Sequence, residues 1–333
     1  MRLTARRPQR YLEIRDWLRR GEITPGEAVK LAMEMKQRQG TGKPQPVGSA
    51  ADAESRDARV KSILAELDAL VGLAAVKRHV REIQAFTAIQ LQRKAVGLAH
   101  DAAGLHMVFT GNPGTGKTTV ARLLGRLFKE MGLLPQGHMV EVERADLVGE
   151  YIGHTAQRTR EVVQKAMGGV LFIDEAYSLA RGGEKDFGKE SIDCLVRAME
   201  DHRGQLLLIL AGYPDEMDWF LAQNPGLRSR FPLVVHFPDY TPAELQAIAD
   251  SMWQERQYEL TPDARSFLGL LLLGHLPARG EEGNARAVRN LVERSLRCQA
   301  LRLMGQPRLT REQLMAISRA DLEAAIEKRS GAT

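Results

Sequence analysis

The sequence predicts an α/β fold: a doubly wound parallel sheet of five strands within residues 58–240, then a smaller α-helical lid domain over 241–330. Three observations predict it. Five short apolar runs, 105–110 (LHMVFT), 139–143 (MVEVE), 170–173 (VLFI), 206–211 (LLLILA) and 233–237 (LVVHF), are separated by segments of helical character. Short runs buried on both faces, with helices between them, are the pattern of a parallel sheet. The first run leads into a glycine-rich loop and a helix over 118–130. After Pro238 the strand-like runs stop, and residues 242–258, 262–274, 285–304 and 319–328 keep helical spacing.

The N-terminal elements come before this core. Within residues 1–39, the stretch 9–38 reads as a small helical hairpin: Tyr11, Ile14, Trp17 and Leu18 recur at helical spacing and Gly21 ends the run. Thr24-Pro25-Gly26-Glu27 then supplies an N-cap, a proline at the first helical position and a capping-box glutamate. Residues 40–57, rich in Gly, Pro, Ser and charge, bury too little apolar surface to order themselves and read as a flexible linker. Gly42-Lys43 in that linker lacks a preceding strand and is no phosphate site. Helices at 60–70 and 74–96 lead into the first strand.

Composition narrows the function classes. A chain of 333 residues exceeds one typical domain of ~100–200 residues. No run approaches the ~18 uncharged apolar residues of a membrane span, and the basic start has no apolar signal core, so no membrane is expected. The two cysteines, Cys194 and Cys298, have no metal or redox spacing, which fits free thiols in a cytoplasmic protein. The net charge of +5 is interspersed, with a local excess only at Arg2, Arg6, Arg7 and Arg10. Without a zinc site, a helix-turn-helix or an aromatic basic groove, a nucleic-acid partner is not expected.

The chemistry sits in two motifs. Gly111-Asn112-Pro113-Gly114-Thr115-Gly116-Lys117-Thr118, followed by Thr119, matches GxxxxGK[ST] between a strand and a helix. Its glycines let backbone N–H groups surround phosphates at a helix N-terminus. Lys117 is expected to reach the β- and γ-phosphates of ATP, and the Thr118 hydroxyl to ligate Mg²⁺. Asp174 and Glu175 end the apolar run 170–173, at the carboxyl end of a strand where open α/β sheets bind ligands. Asp174 is expected to hold Mg²⁺, and Glu175 to orient and deprotonate the attacking water.

Leu70-Val71-Gly72-Leu73, DLVGEYIGHT (146–155), GGVLFIDEAYSL (168–179), ILAGY (209–213), NPGLRSRFP (224–232) and GNARAVRN (283–290) resemble AAA+ ATPases of the CbxX/CfxQ group over roughly residues 60–325. The resemblance implies an AAA+ core with a helical lid, assembled as a homo-oligomer in a hexameric ring. It places the arginine finger at Arg230, with Arg228 as the second candidate, and a sensor arginine at Arg286. Arg289, one turn on, reads as a surface residue. Val71 and Gly72 match the adenine-pocket segment. AAA+ proteins usually carry a polar sensor-1 residue after the fourth strand; here Ala211-Gly212-Tyr213-Pro214 stands there, and Tyr213 or another group takes that role.

Tyr151-Ile152-Gly153 matches the aromatic loop that such rings point into their pore, and 182–188 suits a second pore loop by position. The implied activity is ATP-driven remodelling of an unidentified protein client gripped by Tyr151. Stretches 142–161 and 178–190 resemble the sporulation branch of the group most. A Rubisco-activating role is the alternative, and a nucleic-acid-linked switch a weaker one.

Overall fold

The computed structural model describes residues 50–99, 104–149, 151, 153–181, 187–274, 283–306 and 308–330, with backbone only at 50–54 and 328–330. The expected hairpin within 1–39, Ile152, and most of the expected second pore loop, 182–186, lie outside the described residues.

Helices α1 (Ala50–Ala69) and α2 (Ala74–Ala95) precede β1 (Met107–Gly111) and α3 (Lys117–Glu130). The expected linker needs correction: α1 starts at Ala50, so residues 50–57 are helical. Ala, Glu and Arg are strong helix formers, and the helix they begin buries Ile63 and Leu67 in the core. Arg126 on α3 holds Glu66 of α1 through a pair of hydrogen bonds at 2.5 and 2.8 Å.

Next come β2 (Met139–Val142), α4 (Arg144–Leu147), α5 (His154–Ala166), β3 (Val170–Ile173), a 3-10 turn (Ala176–Ala180) and α6 (Gly188–Asp201). Then follow β4 (Leu207–Gly212), α7 (Pro214–Gln223), α8 (Pro225–Arg228) and β5 (Leu233–Phe237). The five strands pair in the order β2-β3-β4-β1-β5, all parallel.

The central strands β1, β3 and β4 are buried throughout. Their side chains alternate between two cores, as the two-residue period of a strand requires. Val108, Leu171, Ile173, Leu208 and Leu210 pack beneath α5, α6 and α7. Met107, Phe109, Val170, Phe172, Leu207, Ile209 and Ala211 pack beneath α1, α2 and α3. Each fully buried Leu or Phe contributes ~1.5–3 kcal/mol of transfer free energy, so the paired layers fix where the strand ends lie.

The lid comprises α9 (Pro242–Gln254), α10 (Pro262–Gly274), α11 (Asn284–Leu303), α12 (Arg311–Met315) and α13 (Arg319–Ser330). Trp253 fills its core and donates from Nε1 to Ser295 Oγ at 3.3 Å. Arg302 grips the buried Asp321 with two bonds, at 2.8 and 2.9 Å. The expectation that strands end at Pro238 is corrected by a two-residue parallel pair, β6 (Glu259–Leu260) with β7 (Ala316–Ile317).

One polar group couples the sheet to pH. His106 Nδ1 accepts the backbone N–H of Leu208 at 3.1 Å, so the other ring nitrogen carries the proton. Burial, aided by Arg203, pushes the imidazole down to about 4. An unfolded chain takes up a proton near pH 6.5 and the folded one only near 4, so stability is lost as pH falls across that interval and is level above it. The loss should reach about 3 kcal/mol by pH 4, and His106→Asn should flatten the dependence of Tm on pH there. An unchanged slope in the variant would assign the acid sensitivity to other groups.

Candidate functional site

The strand order carries β1, β3 and β4 to one edge where their carboxyl ends meet, and a cleft of about 520 Å³ opens there toward the lid. Its lining includes Gly111, Pro113, Gly114, Gly116, Lys117, Thr118 and Thr119 from the glycine-rich loop and the start of α3. Asp174 and Glu175 line it from the end of β3, Gly212 and Tyr213 from the end of β4, and Val71 from the turn before α2. The lid contributes Ile248, Met252, Ala285, Arg286 and Arg289.

The loop has the backbone needed to cradle an anion. Gly111, Gly114 and Gly116 have φ of +154°, +75° and +97°, a conformation open to residues without a Cβ. Such left-handed positions turn successive N–H groups toward one side. Lys117 Nζ donates to the carbonyls of Gly111 and Asn112 at 2.8 and 2.9 Å, so it caps the loop's own oxygens. Burial lowers the ammonium's pKa; Asp174 opposes this and Arg286 adds to it. A buried cation beside a glycine-rich turn of this conformation suits polyanionic phosphate.

Glu175 sits in the left-handed region at φ 45°, ψ 44°, a strained conformation for a residue with a side chain. Its N–H donates to Asp174 Oδ1 at 3.0 Å. The turn ends β3 abruptly and exposes the Glu175 carboxylate. Glu175 also borders a second cleft, of about 510 Å³, with Glu143, Arg144 and Arg158. The donor set at the strand end, a hydroxyl at Thr118 and a carboxylate at Asp174, is the hard-oxygen chemistry that fits Mg²⁺.

Other expected site residues lie elsewhere. Asn112 turns out of the cleft and donates to both carboxylate oxygens of Asp239 at 2.9 Å. Thr115 is buried and donates to Asn112 O at 2.7 Å. Gly72 packs on Glu244, which a Cβ there would meet at 2.3 Å. Arg230 and Arg228 are not among the residues lining the cleft. Arg230 is held by Glu200 and donates from Nη1 to Gly226 O at 2.8 Å. Arg228 is exposed at the end of α8.

Tyr151 is 66% exposed, its ring centroid 5.5 Å from that of His154 in an edge-to-face arrangement, and Gly153, two residues on, has φ +83°. Arg289, expected as a plain surface residue, lines the cleft together with Arg286. The sequence reading missed Asp239, Tyr240 and Asn284. Tyr240 borders the cleft, donates to Thr115 O at 3.3 Å, and burial pushes its phenol up to about 12. Among the described residues no helix is long and apolar enough to cross a membrane.

Comparison with known proteins agrees with this geometry. Residues 107–239 match the ATPase family associated with various cellular activities (AAA), and residues 241–332 match the AAA lid domain. Stage V sporulation protein K of Bacillus subtilis (strain 168) is 52% identical over 81% of this chain and 84% of its own length. The chloroplastic ribulose bisphosphate carboxylase/oxygenase activase of Cyanidioschyzon merolae is 45% identical over 81% of this chain and 93% of its own. Protein CbbX of Cereibacter sphaeroides is 47% identical, covering 75% and 82%. Among solved structures, the FIGL-1 AAA domain aligns with a TM-score of 0.55 at 18% identity, covering 78% of this chain and 82% of that one. A RuvB mutant of Thermotoga maritima aligns with a TM-score of 0.52 at 20% identity, covering 79% and 72%. These two speak for the fold alone.

Proposed function

The chain belongs to the CbxX/CfxQ family of AAA ATPases, and we propose that it works as a hexameric ring that uses ATP hydrolysis to remodel a protein client. One observation carries this reading: the cleft gathers Lys117, Asp174, Glu175 and Arg286, while Arg230 of the same chain stands outside it. With Arg286 read as a sensor of bound phosphate, the transition-state arginine is Arg230 of a neighbouring subunit.

In the reaction, Lys117 exchanges the carbonyls of Gly111 and Asn112 for phosphate oxygens. Thr118 and Asp174 would hold Mg²⁺, which when bound would supply charge neutralisation for the phosphates. Glu175 orients the attacking water and takes its proton. Arg230 leaves Glu200 to meet the adjacent subunit's γ-phosphate, a contribution of ~10³–10⁵ in rate where measured in related NTPases. Arg228 is the alternative finger. Val71, which lines the cleft, flanks the base, Arg286 senses the γ-phosphate in its own subunit, and Tyr213, also in the lining, is our candidate for sensor 1.

Tyr151, exposed beside a left-handed glycine, is the contact to the client. Two client classes follow from the relatives, a sporulation target in the cytoplasm or Rubisco. The identities, 52% to the sporulation protein and 45% to the activase, support both classes alike. Added ribulose bisphosphate separates them: stimulation of ATP turnover would move the reading to the activase branch, and no response supports the other. Tyr151→Ala should keep ATP turnover within about twofold, since it lies outside the cleft, and should abolish remodelling of the client. Intact remodelling in the variant would rule out a grip at Tyr151.

A further inference from the structure

The lid and the phosphate loop meet at a single carboxylate. Asp239 follows β5 at the entry to the lid and accepts from three side-chain contacts. Asn112 of the loop donates to both of its oxygens at 2.9 Å, and Asn284 donates from Nδ2 to Oδ1 at 2.9 Å. Asn284 is the first residue of α11, two before Arg286. It is 2% exposed, and its remaining polar capacity is directed: Nδ2 also reaches Pro113 O at 3.3 Å, and Oδ1 accepts the N–H of Tyr240 at 2.9 Å.

The backbones touch as well. Ala285 N–H donates to Gly114 O at 3.2 Å, and a Cβ on Gly114 would lie 2.6 Å from Gly283 O and 2.9 Å from the Arg286 nitrogen. Asn284 has φ +55°, a left-handed value that asparagine tolerates better than most side chains. The start of α11 is therefore set by one side chain that reads the loop, the entry segment and the lid together.

We propose that Asp239 and Asn284 form a clasp that positions Arg286 over the cleft, so that the state of the phosphate loop fixes the sensor arginine. Neither residue touches the reacting atoms; both act through Arg286. The clasp rests on the reading of Arg286 as the γ-phosphate sensor, and the test separates the two. Asn284→Gly keeps the left-handed backbone and removes the amide. In the full chain its kcat for ATP should fall on the order of tenfold or more, as loss of positioning does, with ADP affinity within about threefold of wild type.

Asp239→Asn, similar in volume, should act in the same direction. In an Arg286→Ala background, Asn284→Gly should cause no further loss, because the group it positions is gone. Wild-type kcat in both Asn284→Gly and Asp239→Asn, beside an impaired Arg286→Ala, would overturn the clasp and leave the sensor reading standing. Losses that multiply in the double variant would also overturn it, since they assign Asn284 a general part in lid stability. Wild-type turnover in Arg286→Ala would overturn the sensor reading, and the clasp with it.

Discussion

Glu175→Gln should bind ATP with near wild-type affinity and hydrolyse it at least about 10²-fold more slowly, the usual scale for losing a positioned general base. The reason is local. The Glu175 carboxylate is exposed at the strand end, while its N–H is engaged by Asp174 Oδ1 at 3.0 Å, so the turn itself does not depend on the carboxylate. The amide is nearly isosteric and cannot take a proton. Single-turnover hydrolysis beside a nucleotide-binding titration checks both halves. Ordinary turnover in the variant would remove Glu175 from the chemistry.

Lys117→Ala should have the other signature, loss of binding itself. The ammonium is the cation at the floor of the loop, and charged hydrogen bonds contribute ~1.5–3 kcal/mol each, so losing two or more should weaken ATP at least ~10²-fold. Its present partners, Gly111 O and Asn112 O, lie in a loop that Thr115, Asn112 and Asp239 brace independently. The fold should therefore survive, and the thermal midpoint without nucleotide should change little. Nucleotide should no longer raise that midpoint in the variant, whereas it should in the parent chain.

These residues were legible because their chemistry is contiguous in sequence. Eight consecutive positions form the loop, and Asp174-Glu175 follow a strand that its apolar run defines. The sheet was legible for the same reason: β1, β3 and β4 are buried on both faces, which leaves continuous apolar runs. The β6–β7 pair escaped because two residues carry no periodicity, and only lid packing brings Glu259 beside Ala316. The start of α1 escaped because its polar residues resemble linker composition until Ile63 and Leu67 find their core.

Asp239 and Asn284 escaped for a different reason. Their contacts join residues 45 and 127 positions apart, and no local pattern encodes a meeting at that range. Arg289 had a signal that went unused. Three residues beyond Arg286 on one helix, it shares the same face, and both arginines line the cleft. The cis contact of Arg230 with Glu200 was beyond reach from sequence, since it depends on how α6 lies against the turn after α8.

In the proposed ring each catalytic cleft is half a site, finished by Arg230 of a neighbour, and mixing two inactive variants tests this most directly. Lys117→Ala subunits lack a working cleft but carry Arg230, while Arg230→Ala subunits carry the cleft but offer no arginine. Each alone should be nearly silent. Combined, with co-assembly verified by pull-down of one tagged variant, they should recover ATP turnover that peaks near equal proportions. No recovery at any ratio, or wild-type turnover by Arg230→Ala alone, would contradict the account.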